Sequence, residues 1–117
     1  MKYNKLVRDD IPEIIAQEGK SVSYRILNED EYKVALEEKL DEEVIEYYDS
    51  KSVEEIADIV EVLNAIIKAN GHSRLEVFIT RMKKKMVNGG FERRVFLEEV
   101  KENDKETVVL DEAQTLL

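Results

Sequence analysis

Cysteine is missing from the 117 residues, proline occurs once, glycine four times, and His72 is the whole imidazole content. Without thiols the chain can form neither disulfides nor thiolate metal sites, and a lone imidazole argues against a histidine cage or a serine-histidine triad. Any metal held must be a hard cation on oxygen ligands. The scarcity of glycine and proline, beside 43% hydrophobic and 38% charged residues, fits a helical globular chain better than a disordered or all-β one. An uninterrupted apolar run of about 18 residues is also missing. The opening MKYNKLVRDD carries Lys2, Lys5, Arg8, Asp9 and Asp10 and has no apolar stretch of the signal-peptide kind. The expectation is a soluble, cytoplasmic protein with no membrane partner. A chain of this length makes one domain with a limited core, so a homodimer or higher homo-oligomer is expected.

Acid is what the sequence has in abundance. Between Glu37 and Glu61 eleven acidic residues face only Lys39 and Lys51, a local net of −9 that equals the charge of the whole chain. From Lys68 to Arg94 the sign reverses, with eight basic residues against Glu76 and Glu92. Charge runs are usually solvated faces, and two oppositely charged helices packing together would explain both blocks. Adjacent blocks of opposite sign also suit a cation and the anion it polarises.

The periodicity predicts helices joined by short connections. Asp9 or Asp10 can cap a short helix over 9–18, with Pro12 tolerated in the first turn and Gly19 ending it. SVSYRIL, 21–27, alternates and is expected to be extended. Asn28 can cap a helix from about Glu29 to Tyr48, whose Tyr32, Leu36, Leu40, Val44 and Tyr47 form one stripe. Ser52 opens a capping box with Glu55, and the next helix aligns Val53, Ile56, Val60, Leu63 and Ile67. Asn70-Gly71 stops it. A further helix is expected from Ser73 to about Val87, ending at Asn88-Gly89-Gly90, after which FERRVFLEE alternates like a short strand or hairpin arm. The domain is placed at 1–100, with a polar tail over 101–117 that is either flexible or docked on a partner subunit.

Two acidic pairs stand out within DEEVIEYYDSKSVEEIAD, 41–58. Glu43 and Glu46 lie three apart on one helix, as do Glu55 and Asp58 on the next. A tight connection between the helices makes an antiparallel hairpin and brings both pairs to about the same level. Four converging carboxylates repel one another unless a cation is present, and Mg²⁺ suits such a site because it keeps positions open for phosphate oxygens. Each acid has a plainer reading. Glu55 can serve only the capping box, Glu54 only the helix dipole, and Glu42 and Glu61 read as surface charges. Asp58 is harder to dismiss, because it lies beyond the first turn and aspartate is a poor interior helix former.

EEVIE at 42–46, followed after eight residues by EIAD at 55–58, resembles the EExxE…ExxD signature of the all-α nucleoside triphosphate pyrophosphohydrolases. That superfamily includes MazG, the dimeric dUTPases and phosphoribosyl-ATP pyrophosphohydrolase. YNKLVRDDIPEII at the start and NGGFERR at 88–94 resemble the MazG-like, house-cleaning branch, so the likeness spans roughly residues 3–97. The resemblance implies an all-α antiparallel helical bundle in which Glu43, Glu46, Glu55 and Asp58 hold Mg²⁺, with Mn²⁺ as an alternative ion. It implies hydrolysis of a nucleoside triphosphate to the monophosphate and pyrophosphate. Metal activates the water and neutralises the leaving group in such chemistry, and Glu43 or Glu46 could orient the water or take its proton. The phosphate-binding candidates are Lys5, Arg8, Arg81, Lys84 and Lys85, although three consecutive lysines spread round a helix and cannot all face one site. The gap of eight residues is shorter than in typical MazG domains, so no recognition loop fits between the motifs.

Other signals are weaker. NGG at 88–90 lacks the preceding strand and the GK[ST] of a phosphate-cradling loop and reads as a helix stop. His72 reads as an exposed turn residue. Tyr47 and Tyr48 could stack on a base, but their period favours packing. The competing functions are a phosphoribosyl-ATP pyrophosphohydrolase and a non-enzymatic acidic helical interaction module, which magnesium dependence would separate from the enzyme. Direct nucleic-acid binding is not expected, since the acidic segment would repel a phosphate backbone.

Overall fold

The computed structural model describes residues 1–102 and is all-α: α1 Ile11–Gln17, α2 Glu29–Ser50, α3 Val53–Ala69 and α4 Arg74–Asn88. Its contacts divide the chain into a unit of residues 1–77 and a second beginning at Phe78, with α4 running across the division. The tail expected over 101–117 lies outside the described residues from 103 onward.

Side-chain caps set the starts of α2, α3 and α4, whereas the cap expected from Asp9 or Asp10 does not form: Asp10 stands at the N-cap of α1 with helical backbone angles and no side-chain cap hydrogen bond. The Asn28 side chain accepts the Glu31 N–H at 2.9 Å while the Glu31 carboxylate accepts the Asn28 N–H at 3.3 Å, a reciprocal arrangement worth about 1 kcal/mol. Arg25 grips the same carboxylate at 2.7 and 3.1 Å and holds it below its ordinary pKa. Ser73 and Glu76 repeat the reciprocal pattern at the start of α4. Pro12 falls in the first turn of α1, and Gly89, at a φ of 82° that disfavours a side chain, closes α4.

Helices α2 and α3 pack on each other through a two-residue connection, which makes them the expected hairpin. Its turn depends on Lys51, left-handed at φ 55°, whose N–H donates to the Tyr47 carbonyl at 2.8 Å. A non-glycine residue there costs about 1 kcal/mol. The Lys51 ammonium sits 5.1 and 5.2 Å from the Tyr47 and Tyr48 ring centres, a cation–π arrangement that offsets part of the cost.

The α2 stripe is packed as predicted: Leu36 is 3% exposed, and Tyr32, Leu40, Val44 and Tyr47 are half-buried. The α3 expectation holds for Ile67, which is half-buried, and fails for the other four residues of the stripe. Val62, 8% exposed, is the buried residue, with Ile59 and Ile66 half-buried beside it, whereas Val53, Ile56, Val60 and Leu63 face outward. At about 100° per residue the centre of the predicted stripe lies roughly 110° round the helix from the face of Ile59, Val62 and Ile66, so the packed face is rotated from the predicted one. The face that packs is the one that carries Glu55 and Asp58.

No strand forms among the described residues. FERRVFLEE begins with a turn in which the Arg94 N–H donates to the Phe91 carbonyl at 3.1 Å, with Arg94 at φ 59°. SVSYRIL is likewise outside any ladder. Alternation alone does not make a strand, because backbone groups need a neighbouring chain to pair with.

Candidate functional site

The hairpin brings Glu43 of α2 and Glu55 and Asp58 of α3 together, with one carboxylate oxygen of each within 4.8 Å of the others. Glu43 is only 5% exposed. Lys39, one turn earlier on α2, lies 3.2 Å from Glu43 Oε1, whereas Glu43 Oε2 and Glu55 Oε2 are buried without a hydrogen-bond partner. Leaving one buried acceptor unpaired costs about 1 to 3 kcal/mol, more when it is charged. Burial accordingly pushes the Glu43 carboxyl above its ordinary pKa, the Lys39 hydrogen bond opposes this, and the neighbouring Glu46 charge adds to the rise.

Glu55 could have been spent on its helix cap. Ser52 Oγ does accept the Glu55 N–H at 3.3 Å, but the Ser52 N–H is taken at 3.2 Å by Ser50 Oγ. The capping box expected at Ser52 is therefore half formed, and the Glu55 carboxylate is left for the cluster.

Three cations surround these acids. Lys5 Nζ meets Glu42 Oε1 at 2.8 Å, Lys39 Nζ approaches Glu42 Oε2 at 3.4 Å, and Arg8 Nη2 meets Asp58 Oδ1 at 2.8 Å. Glu42, read from sequence as a surface charge, is half-buried between two lysines, and the Lys5 hydrogen bond holds its carboxyl below the ordinary range. Lys39 is the site residue that motif reading misses. Its signal was available in the spacing, since a lysine three and four residues before two glutamates reaches both.

Glu46 is exposed and is not a member of the three-carboxylate group. Counted around the helix it lies about 90° from the centre of the packed face of α2, so the symmetric four-carboxylate cage becomes a three-carboxylate cluster with Glu46 beside Glu43. Arg81, Lys84 and Lys85 lie on the part of α4 that belongs to the second unit and remain candidates from sequence alone. Tyr47 is half-buried and Tyr48 exposed, and the two rings are 6.1 Å apart under Lys51. His72 is exposed, 3.7 Å from Glu76, as a turn residue would be.

The donor set fits a hard divalent cation. All its atoms are carboxylate oxygens, two of them buried and unpaired. Ligands of a small octahedral ion stand about 3 Å apart when adjacent and about 4.2 Å when opposite, so oxygens within 4.8 Å of one another come into range by side-chain adjustment of under about 2 Å.

Fold and site together define an all-α chain with a carboxylate cluster able to hold a metal in a helical hairpin. No family model matches the chain and no solved structure matches it. A Mycolicibacterium smegmatis protein described as uncharacterized is 55% identical over 42 residues, covering 36% of this chain and 43% of that protein. The chain thus spans less than half the length of that relative. No helix among the described residues is long and apolar enough to cross a membrane.

Proposed function

We propose that this chain is a Mg²⁺-dependent nucleoside triphosphate pyrophosphohydrolase that clears non-canonical nucleotides. The observation that supports this reading most directly is the pair of buried, unpaired carboxylate oxygens on Glu43 and Glu55 beside Asp58. Glu43, Glu55 and Asp58 would hold Mg²⁺, or Mn²⁺ in its place. Such an ion supplies polarisation of phosphate oxygens and a more acidic water when bound. In the reaction, water oxygen attacks the α-phosphorus and the bond to the β-phosphate bridge breaks, giving the monophosphate and pyrophosphate. Lys39 engages Glu43 Oε1, which leaves the exposed Glu46 as the freer carboxylate to take the water proton. Lys5 and Arg8 bring positive charge from the N-terminal segment, and Arg81, Lys84 and Lys85 are further phosphate candidates. The test is a screen of canonical and damaged triphosphates for pyrophosphate release, with magnesium and with excess chelator. Release that persists in chelator, or no release from any triphosphate, rejects the reading.

The active form is proposed to be a homodimer or higher homo-oligomer. Val53, Ile56, Val60 and Leu63 leave an apolar stripe uncovered on α3, while Leu36 and Val62 are the buried apolar residues among those described. A second copy would cover that stripe. Sedimentation at micromolar concentration is expected to show no major monomer, and Val60→Glu is expected to produce one. Wild-type protein that sediments as a monomer would overturn the assignment.

A further inference from the structure

The two cations of the N-terminal segment are held differently, and the difference has a chemical consequence. Lys5 pairs directly with Glu42, which is outside the three-carboxylate group, and feels Glu46 and Glu43 only through space, so an ion in the cluster would not take its partner. Arg8 pairs at 2.8 Å with Asp58, a member of that group. Its guanidinium also lies in the field of Glu43 and Glu61. A divalent cation drawn to the unpaired Oε2 atoms of Glu43 and Glu55 would take Asp58 as its third ligand. It would then repel the guanidinium that Asp58 holds.

Resting on the proposed cation site, we infer that Arg8 is an exchangeable ligand. It neutralises Asp58 while no divalent ion is bound, and the ion releases it to bind the polyphosphate of the substrate. Several features suit Arg8 to the second role. Its side chain is 58% exposed, so little packing opposes its movement. A guanidinium presents paired N–H donors that match phosphate oxygens, and it keeps its charge in either position. The anion attracted by the ion would arrive where Arg8 has just been displaced. Cation and polyphosphate therefore help each other bind, with Arg8 as the coupling group, and by linkage the help is reciprocal.

Arg8→Gln separates this role from simpler ones, because it should move two affinities in opposite directions. Binding of Mn²⁺ alone, followed by electron paramagnetic resonance without nucleotide, is expected to tighten about fivefold or more in the variant, since no guanidinium competes for Asp58. Binding of magnesium pyrophosphate to the Mg²⁺-saturated protein, followed by calorimetry, is expected to weaken about tenfold or more. Arg8→Lys, which keeps the charge but not the fork, should fall between wild type and Arg8→Gln in both. An arginine that only stabilised the fold would weaken both ligands, and one that only touched substrate would leave Mn²⁺ affinity unchanged; either result overturns the exchange. Unaltered Mn²⁺ binding in the variant rejects the exchange but keeps the cation site, whereas no Mn²⁺ binding in any of the proteins rejects both. The exposed ion pair contributes little to folding, and circular dichroism of the variants checks that the helices persist.

Discussion

Asp58→Asn is expected to lower magnesium-dependent pyrophosphate release by about a hundredfold or more while leaving helix content unchanged. A carboxamide is nearly the same size as the carboxylate, so packing at this half-buried position is preserved. What changes is charge and basicity. The cluster loses one of its three anionic ligands, and supporting groups around a metal already cost ten- to a hundredfold when removed. The variant also loses the ion pair with Arg8, but a partly exposed pair is worth under about 1 kcal/mol, which cannot account for a hundredfold loss of rate through unfolding. Glu61→Gln, three residues further along α3 and exposed, is the comparison: it removes one negative charge from the same helix without touching the cluster. Equal activities of the two variants under saturating Mg²⁺ would reduce Asp58 to a surface charge.

The helices were legible because their ends carry local chemistry. Asn28, Ser52, Ser73, Gly71 and Gly89 act within one turn of the backbone and need no knowledge of the tertiary arrangement. The face of α3 was not legible for a related physical reason. Its most apolar stripe, Val53, Ile56, Val60 and Leu63, invites burial, yet the side turned toward α2 carries Glu55 and Asp58 together with Ile59, Val62 and Ile66. Periodicity weighs apolar surface and assigns carboxylates to water. Carboxylates gathered between helices depart from that assignment, and conflicts of this kind are where functional positions are expected. The spacing of ExxE similarly predicts that Glu43 and Glu46 share a side of α2 without locating the side, and the 60° between them suffices to bury one and expose the other. FERRVFLEE failed as a strand because a strand is a property of two chains, and one sequence segment carries only half of it.

Glu43 carries the other large expected effect, a reversal of stability order between chelator and magnesium. Its carboxylate is almost wholly buried, one oxygen lacks a partner, and burial raises its pKa above the ordinary 4.5. A raised carboxyl pKa means that the folded protein binds this proton more tightly than the unfolded chain does. The associated stability is fully present below about pH 4.5 and is lost as pH rises through the folded value, so at neutral pH the ionised group is a burden. Glu43→Gln removes that charge, and its amide oxygen can still accept from Lys39, which also retains Glu42 at 3.4 Å. In chelator at pH 7 the variant should therefore melt above wild type, and the gap should close as pH falls below the ordinary carboxyl value. Magnesium acts in the opposite sense. An ion that binds only the folded state adds about 2.7 kcal/mol at 100 times its dissociation constant, or roughly 10 °C in melting temperature for a domain of this size. Wild type should gain that increment and the variant little of it, so the order of melting temperatures inverts. Glu46→Gln, at an exposed position beside Glu43, should raise the chelator melt only slightly. Thermal melts of the three proteins at fixed ionic strength, with chelator and with millimolar Mg²⁺ in the presence and absence of a nucleotide analogue, measure all of this. A wild type indifferent to magnesium in both conditions would leave the two orphaned oxygens as a cost without a ligand, and an acidic interaction module would then account better for residues 41–58.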